Sequence, residues 1–294
     1  MTTAVDKATR DHVGLAEETV TIIDTVEYTN LIPGKEYTVK GVLMDKNTGE
    51  EFLVDGQPVT AEKTFIAEQP DGSIELEFTF KGSALRGIGI VVFEDLFYKG
   101  KRVATHSDIN DNNQTVYYPW IETKVVTDNK NKEVQPIENV SVSDDVTYHK
   151  LLPGRTYRVL GMLYDKTAGK IVTIDGVPFT KMIDFVPETE DGMITMTFTF
   201  DARGMKAHDV VVYEHIYLVD DALTNPEDLT EDNFTLTLVA MEEDFNNTDQ
   251  TFYISDTPMT LTADFTPLKM MFGLLLLSGL GFLFMIWKKR RLNA

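Results

Sequence analysis

Apolar and polar residues alternate with a period of two through Tyr37-Thr38-Val39-Lys40-Gly41-Val42-Leu43 and Ile74-Glu75-Leu76-Glu77-Phe78-Thr79-Phe80. That spacing sends successive side chains to opposite faces of a strand. Pro33-Gly34, Asp55-Gly56 and Asp71-Gly72 punctuate the strands, each offering a glycine to a turn that needs positive φ. Short strands recurring roughly every 8–12 residues, with no long amphipathic helix, predict an all-β chain of immunoglobulin-like β-sandwiches. Only the C-terminal end breaks this pattern. Met270–Trp287 is an uncharged run of 18 residues followed by Lys288-Lys289-Arg290-Arg291. As a helix it spans about 27 Å, so one transmembrane helix is expected at 269–294, with its basic end cytoplasmic and the preceding chain outside.

The strand pattern occurs twice, at an offset of 120 residues. Leu31-Ile32-Pro33-Gly34-Lys35-Glu36-Tyr37 returns as Leu151-Leu152-Pro153-Gly154-Arg155-Thr156-Tyr157, and Asp71-Gly72 with Phe78-Thr79-Phe80 as Asp191-Gly192 with Phe198-Thr199-Phe200. Val91-Val92-Phe93-Glu94 returns as Val211-Val212-Tyr213-Glu214, after which the second copy carries a 16-residue insertion near 218–233. Two tandem domains follow, at 1–119 and 120–254, with a linker at 255–268 before the membrane segment. The 294 residues allow each domain its own core.

Composition narrows the partners. The chain has no cysteine and a formal charge of -20, and the 26 residues from Lys269 contain none of its 47 acids. An acidic body of this kind excludes nucleic acid as a natural partner, and without cysteine neither disulfide nor thiolate metal site is available. Met1-Thr2-Thr3-Ala4-Val5-Asp6 lacks the basic and apolar regions of a signal peptide. An exported chain without one is expected to be part of a longer reading frame.

The candidate chemistry lies in His106-Ser107-Asp108-Ile109-Asn110-Asp111-Asn112-Asn113-Gln114-Thr115-Val116-Tyr117-Tyr118, a polar run that becomes a strand. Gln114 and Val116 share a strand face, which aims a carboxamide into a core. The run recurs, altered, as Glu242–Tyr253, with Gln250 in the place of Gln114. Asp108–Asn112 resembles the start of a calcium loop, but Asn113 stands where glycine is needed and Pro119 where the bidentate glutamate belongs. No metal or cofactor is expected. His12, His149, His208 and His215 show no ligand spacing and read as surface residues. A lone glutamine facing a core is ordinarily a satisfied hydrogen-bonding residue; here the whole constellation occurs twice.

Asp-Thr-Val-x-Tyr at 24–28, Leu-x-Pro-Gly-Lys-x-Tyr-Thr-Val from Leu31, Leu-Met-Asp-Lys-x-Thr-Gly from Leu43, Val-Val-Phe-Glu at 91–94 and His-x-Asp-x-Asn-Asp-x-x-Gln-Thr-Val from His106 together resemble the VaFE repeat of Gram-positive surface proteins, the Thr–Gln ester-bonded adhesin domain. The resemblance covers roughly residues 1–254. It implies an intramolecular ester in which a first-strand threonine attacks a last-strand glutamine and releases ammonia. Carried over by motif, Gln114 is the acyl donor, Asp24 and Glu94 are the carboxyl pair, and His106 supports them. In the second copy Asp144, Glu214 and Gln250 match, both acid pairs lie 70 residues apart, and Ile121-Glu122-Thr123 fits the family's Ile-x-Thr. The first-copy nucleophile is Thr2 by motif, or Thr3 by strict offset. Glu242 stands where His106 precedes glutamine by eight residues, so the second domain is expected to cross-link slowly or not at all.

The resemblance implies the structural stalk of a bacterial surface adhesin or pilus-like protein, held to membrane or wall by its C-terminal segment. Upstream repeats and a tip that meets a host ligand would precede it. No Leu-Pro-x-Thr-Gly sorting motif occurs. Each domain would act once on itself, so no turnover enzyme is expected. The alternative is a ligand-binding adhesin module that uses the second-domain insertion.

Overall fold

The computed structural model describes residues 2–127, 132–219 and 236–256. Its first half contains strands β1 (Thr2–Asp6), β2 (Thr19–Tyr28), β3 (Glu36–Asp45), β4 (Thr60–Ile66), β5 (Gly72–Lys81), β6 (Ile88–Tyr98), β7 (Lys101–His106) and β8 (Thr115–Tyr118). The second half repeats them as β9 (Trp120–Val126), β10 (Val140–His149), β11 (Tyr157–Asp165), β12 (Thr180–Phe185), β13 (Gly192–Phe200), β14 (His208–Leu218), β15 (Thr237–Glu242) and β16 (Thr251–Ile254). The described residues are all-β, as their alternation predicts, and form two sandwich-like halves.

In the first half β1-β2-β5 form one sheet and β8-β6-β3-β4 the other, with β7 also on β6. These pairings are antiparallel. Alternation explains the core: Leu76, Phe78 and Phe80 of β5 turn inward against Leu43, Ile90, Val92 and Val116, while Glu75, Glu77 and Thr79 face water. The second half has the same arrangement, with Met196, Phe198 and Phe200 meeting Leu163, Val210, Val212 and Phe252. Burying each such side chain contributes roughly 1.5–3 kcal/mol. The N-terminal loop of the first half meets the second: Asp11 pairs with Arg155 at 2.5 Å, and Val13 packs against the second core.

One topological feature creates the site. β7 and β8 share the same edge of β6, with Glu94 opposite His106 and Val91 opposite Thr115. The polar run therefore leaves the β6 edge beside Glu94 and rejoins it three residues away, carrying Gln114 with it. β15 and β16 divide the edge of β14 in the same way, with Glu214 opposite Glu242 and Val211 opposite Thr251.

The expected transmembrane helix and tail at 269–294 and most of the linker, residues 257–268, lie outside the described residues. So do residues 220–233 of the insertion. Among the described residues no helix is long and apolar enough to cross a membrane.

Candidate cross-linking site

Gln114 closes a one-turn 3-10 segment, Asn112–Gln114, whose start is capped by the Asp111 carboxylate accepting from the Asn113 backbone N–H at 2.8 Å. The Thr115 hydroxyl donates back to the Asp111 carbonyl at 2.7 Å. This stitching turns the Gln114 side chain fully inward. Its Nε2 donates to Glu94 Oε1 at 2.9 Å and Asp24 Oδ1 at 3.2 Å. Gln114 Oε1 and Thr2 Oγ1 are buried without a hydrogen-bond partner. Two opposed sheets thus supply an alcohol, a carboxamide and two acids to one buried region.

Register separates the two threonines. Thr2 is buried and pairs with Val26, whereas Thr3 is half-buried and pairs with Thr25. Thr123 pairs with Val146, the repeat equivalent of Val26. Thr2 is therefore the positional match of Thr123, at an offset of 121, because the first copy has one more residue between this threonine and its aspartate.

The second site is tighter. The Thr123 hydroxyl donates to Glu214 Oε2 at 3.1 Å, and Gln250 Nε2 donates to the same oxygen at 2.5 Å. Gln250 Nε2 also contacts Thr123 Oγ1 directly. Asp144, Glu214 and Gln250 are fully buried. The turn ahead of Gln250 repeats the first: the Thr251 hydroxyl donates to the Asn247 carbonyl at 2.7 Å.

Electrostatics follow from burial. Loss of solvent pushes Glu94 up to about 11, helped by its hydrogen bond to Asp24 and that residue's charge. Asp24 is also raised by burial, opposed by hydrogen bonds from Glu94 and Gln114 and by the charge of His106. Burial lifts Asp144 to about 6 against a hydrogen bond to Glu214 and the charge of Lys132, and it lifts Glu214 well above the usual carboxylate range. Asp24 Oδ2 and Glu94 Oε2 have no other partner, and the hydrogen bond between the two acids requires one of them to carry a proton. Each site thus keeps a neutral carboxylic acid at pH 7 beside a carboxamide nitrogen.

His106 Nε2 lies 3.0 Å from Asp111 Oδ2 at the site's edge, close but not aligned for a hydrogen bond. Glu242 occupies the same register but turns to accept from the Asp244 N–H at 3.0 Å. The other histidines are not free surface residues: His12 meets the Thr115 carbonyl at 3.0 Å, His208 the buried Asp165 at 2.7 Å, His215 Glu243 at 2.7 Å, and His149 Asp191 at 3.4 Å. Each of the four is half-buried against a partner that ligand spacing does not report.

Sequence reasoning also missed Gly41 and Gly161, which pair with Glu94 and Glu214. A Cβ at Gly41 would meet Phe78 Cζ at 2.5 Å, and one at Gly161 would meet Phe198 Cζ at 2.6 Å. A phenyl tip thus fills the space beside each buried acid. The 120-residue offset of these two glycines was the available signal.

In each half a carboxamide, an alcohol and a carboxyl pair lie buried between two sheets. The model of the T-Q ester bond containing domain matches residues 1–118 and again 119–254, and the chain belongs to that family. Among solved structures, an adhesin from Mobiluncus mulieris described as containing intramolecular disulfide, isopeptide and ester bond cross-links is similar at 14% identity, over 73% of this chain and 79% of that one, with a TM-score of 0.36. A β-glucuronidase from Bacteroides uniformis is similar at 10% identity, over 76% of this chain and 25% of that one, with a TM-score of 0.29. Superpositions this loose carry no weight for fold or function. No curated protein matches the chain.

Proposed function

We propose that the two domains form esters between Thr2 and Gln114 and between Thr123 and Gln250, and that the cross-linked pair is a load-bearing stalk of a bacterial surface adhesin. The observation that carries this reading is the meeting of Thr123 Oγ1, Gln250 Nε2 and Glu214 Oε2 at one buried point. Nucleophile, leaving group and proton carrier are already in contact.

In the reaction, the threonine oxygen bonds to the glutamine Cδ and the Cδ–Nε2 bond breaks. The hydroxyl proton passes into the carboxyl pair, a proton from the pair reaches the departing nitrogen, and ammonia leaves. The pair ends with the one proton it began with, so no co-reactant is consumed. An amide is a poor electrophile and an alcohol a poor nucleophile. Fixing them in contact can lower the barrier by roughly 7–11 kcal/mol, and general acid help adds ~10²–10⁴-fold. Each domain reacts once, so this is maturation rather than turnover.

A stalk makes use of where the esters lie. Each would join the first strand of a domain to the residue before its last strand, so tension along the chain would load a covalent bond rather than ladder hydrogen bonds. Attachment to membrane or wall through 269–294, and a distal tip that meets a host ligand, complete the proposal. Tandem mass spectrometry of a protease digest tests the chemistry: the Thr2 and Gln114 peptides should emerge joined, as should those of Thr123 and Gln250. Recovery of all four as separate linear peptides would refute it.

A further inference from the structure

The second domain lacks the histidine, and a cation approaches its site from the opposite side. The segment Glu133–Val134 runs parallel to β16, with Glu133 opposite Tyr253, and the Tyr253 N–H donates to the Lys132 carbonyl at 2.8 Å. This anchors Lys132 beside the turn that carries Gln250. Its ammonium donates to the Thr248 carbonyl at 3.0 Å, the Asp249 carbonyl at 2.7 Å and Asp249 Oδ1 at 3.4 Å. All three N–H bonds of Lys132 are thereby spent on the two residues ahead of Gln250.

The first domain has the same backbone arrangement with a different side chain. Val13 bridges in parallel to Tyr117, and the Tyr117 N–H donates to the His12 carbonyl at 2.7 Å, so His12 holds the place of Lys132. His12 reaches the Thr115 carbonyl, behind Gln114 rather than ahead of it. The cation acting on Asp24 is instead His106, from the β7 side. For Asp144 it is Lys132, while Glu242 adds negative charge near Glu214.

We infer that Lys132 is the positioning residue of the second site, clamping the Thr248-Asp249 turn so that the Gln250 carboxamide sits on Thr123 and Glu214. It touches neither reacting atom and acts through the turn. The inference rests on the proposed ester in this domain.

The test uses the full chain carrying Thr2→Ala, so that any ammonia lost comes from the second domain, with formation followed by intact mass after refolding. Lys132→Arg, Lys132→Gln and Lys132→Met are compared with this parent, and near-ultraviolet circular dichroism reports folding of each. Arginine should stay within about threefold of the parent, glutamine should be slower, and methionine slowest by roughly 10- to 100-fold. If methionine does not fold, arginine against glutamine decides. Equal rates throughout, or arginine as slow as glutamine, would overturn the role of Lys132. A parent that never loses ammonia would instead overturn the ester reading of this domain and the inference with it.

Discussion

Glu242 stands directly opposite Glu214 across neighbouring antiparallel strands, at the register where His106 stands opposite Glu94. A glutamate thus holds the register position beside the buried acid of the second site, and a histidine holds it in the first. The charge of Glu242 helps hold Glu214 protonated, whereas His106 favours the ionised form of Asp24. Glu242→His should therefore leave the second ester intact and change its rate of formation. His106→Glu should slow the first ester by on the order of 10²-fold, because no lysine holds the position of Lys132 there. Time-resolved intact mass of the refolding chain measures both.

Thr2 and Thr3 differ by one position, and a one-residue step reverses the face a strand presents. Thr2→Ala should abolish the first ester while Thr3→Ala leaves it complete. An ester that survives Thr2→Ala and disappears with Thr3→Ala would reverse the register argument.

The raised acids give the uncross-linked fold a defined pH dependence. Glu94 binds its proton more tightly folded than unfolded, so its contribution is fully present below its ordinary value of 4.5 and is lost as pH climbs towards about 11. In the Thr2→Ala, Thr123→Ala chain, melting temperature should fall steadily between those limits. Adding Glu94→Gln, which stays neutral, should flatten the first domain's share of that slope. A melting temperature that instead rises over this range would mean the acids are ionised in the fold.

The esters should matter more for stability than any single core contact. Thr123 and Gln250 are 127 residues apart, and closing a loop of that order removes unfolded-state entropy worth roughly 5 kcal/mol per domain. Thr123→Ala should lower the melting temperature of the second domain by on the order of 20 °C and quicken its proteolysis. Differential scanning calorimetry, in which the first domain serves as internal reference, measures the change.

Much of this site is visible in the sequence because it is written there twice. The alternation in 74–80 and 193–200 specifies which face of each strand is buried, and the repeated 70-residue interval ties Asp24 to Glu94 and Asp144 to Glu214. What one dimension hides is where a loop takes up a residue. The step from Thr2 to Asp24 is 22 positions and that from Thr123 to Asp144 is 21, so offset alone points to Thr3, and strand pairing sides with the motif in pointing to Thr2. Lys132 was hidden for a related reason. Its position is set by a parallel bridge to β16, a contact spanning more than a hundred residues that leaves no local periodicity. Gly41 and Gly161 looked like ordinary strand glycines until Phe78 and Phe198 filled the space beside them.

The intact mass of the folded chain tests the central claim most directly. Two esters predict a mass lower than that of the sequence by two molecules of ammonia, with one restored by Thr2→Ala and the other by Thr123→Ala. A folded chain at its full sequence mass would contradict the account.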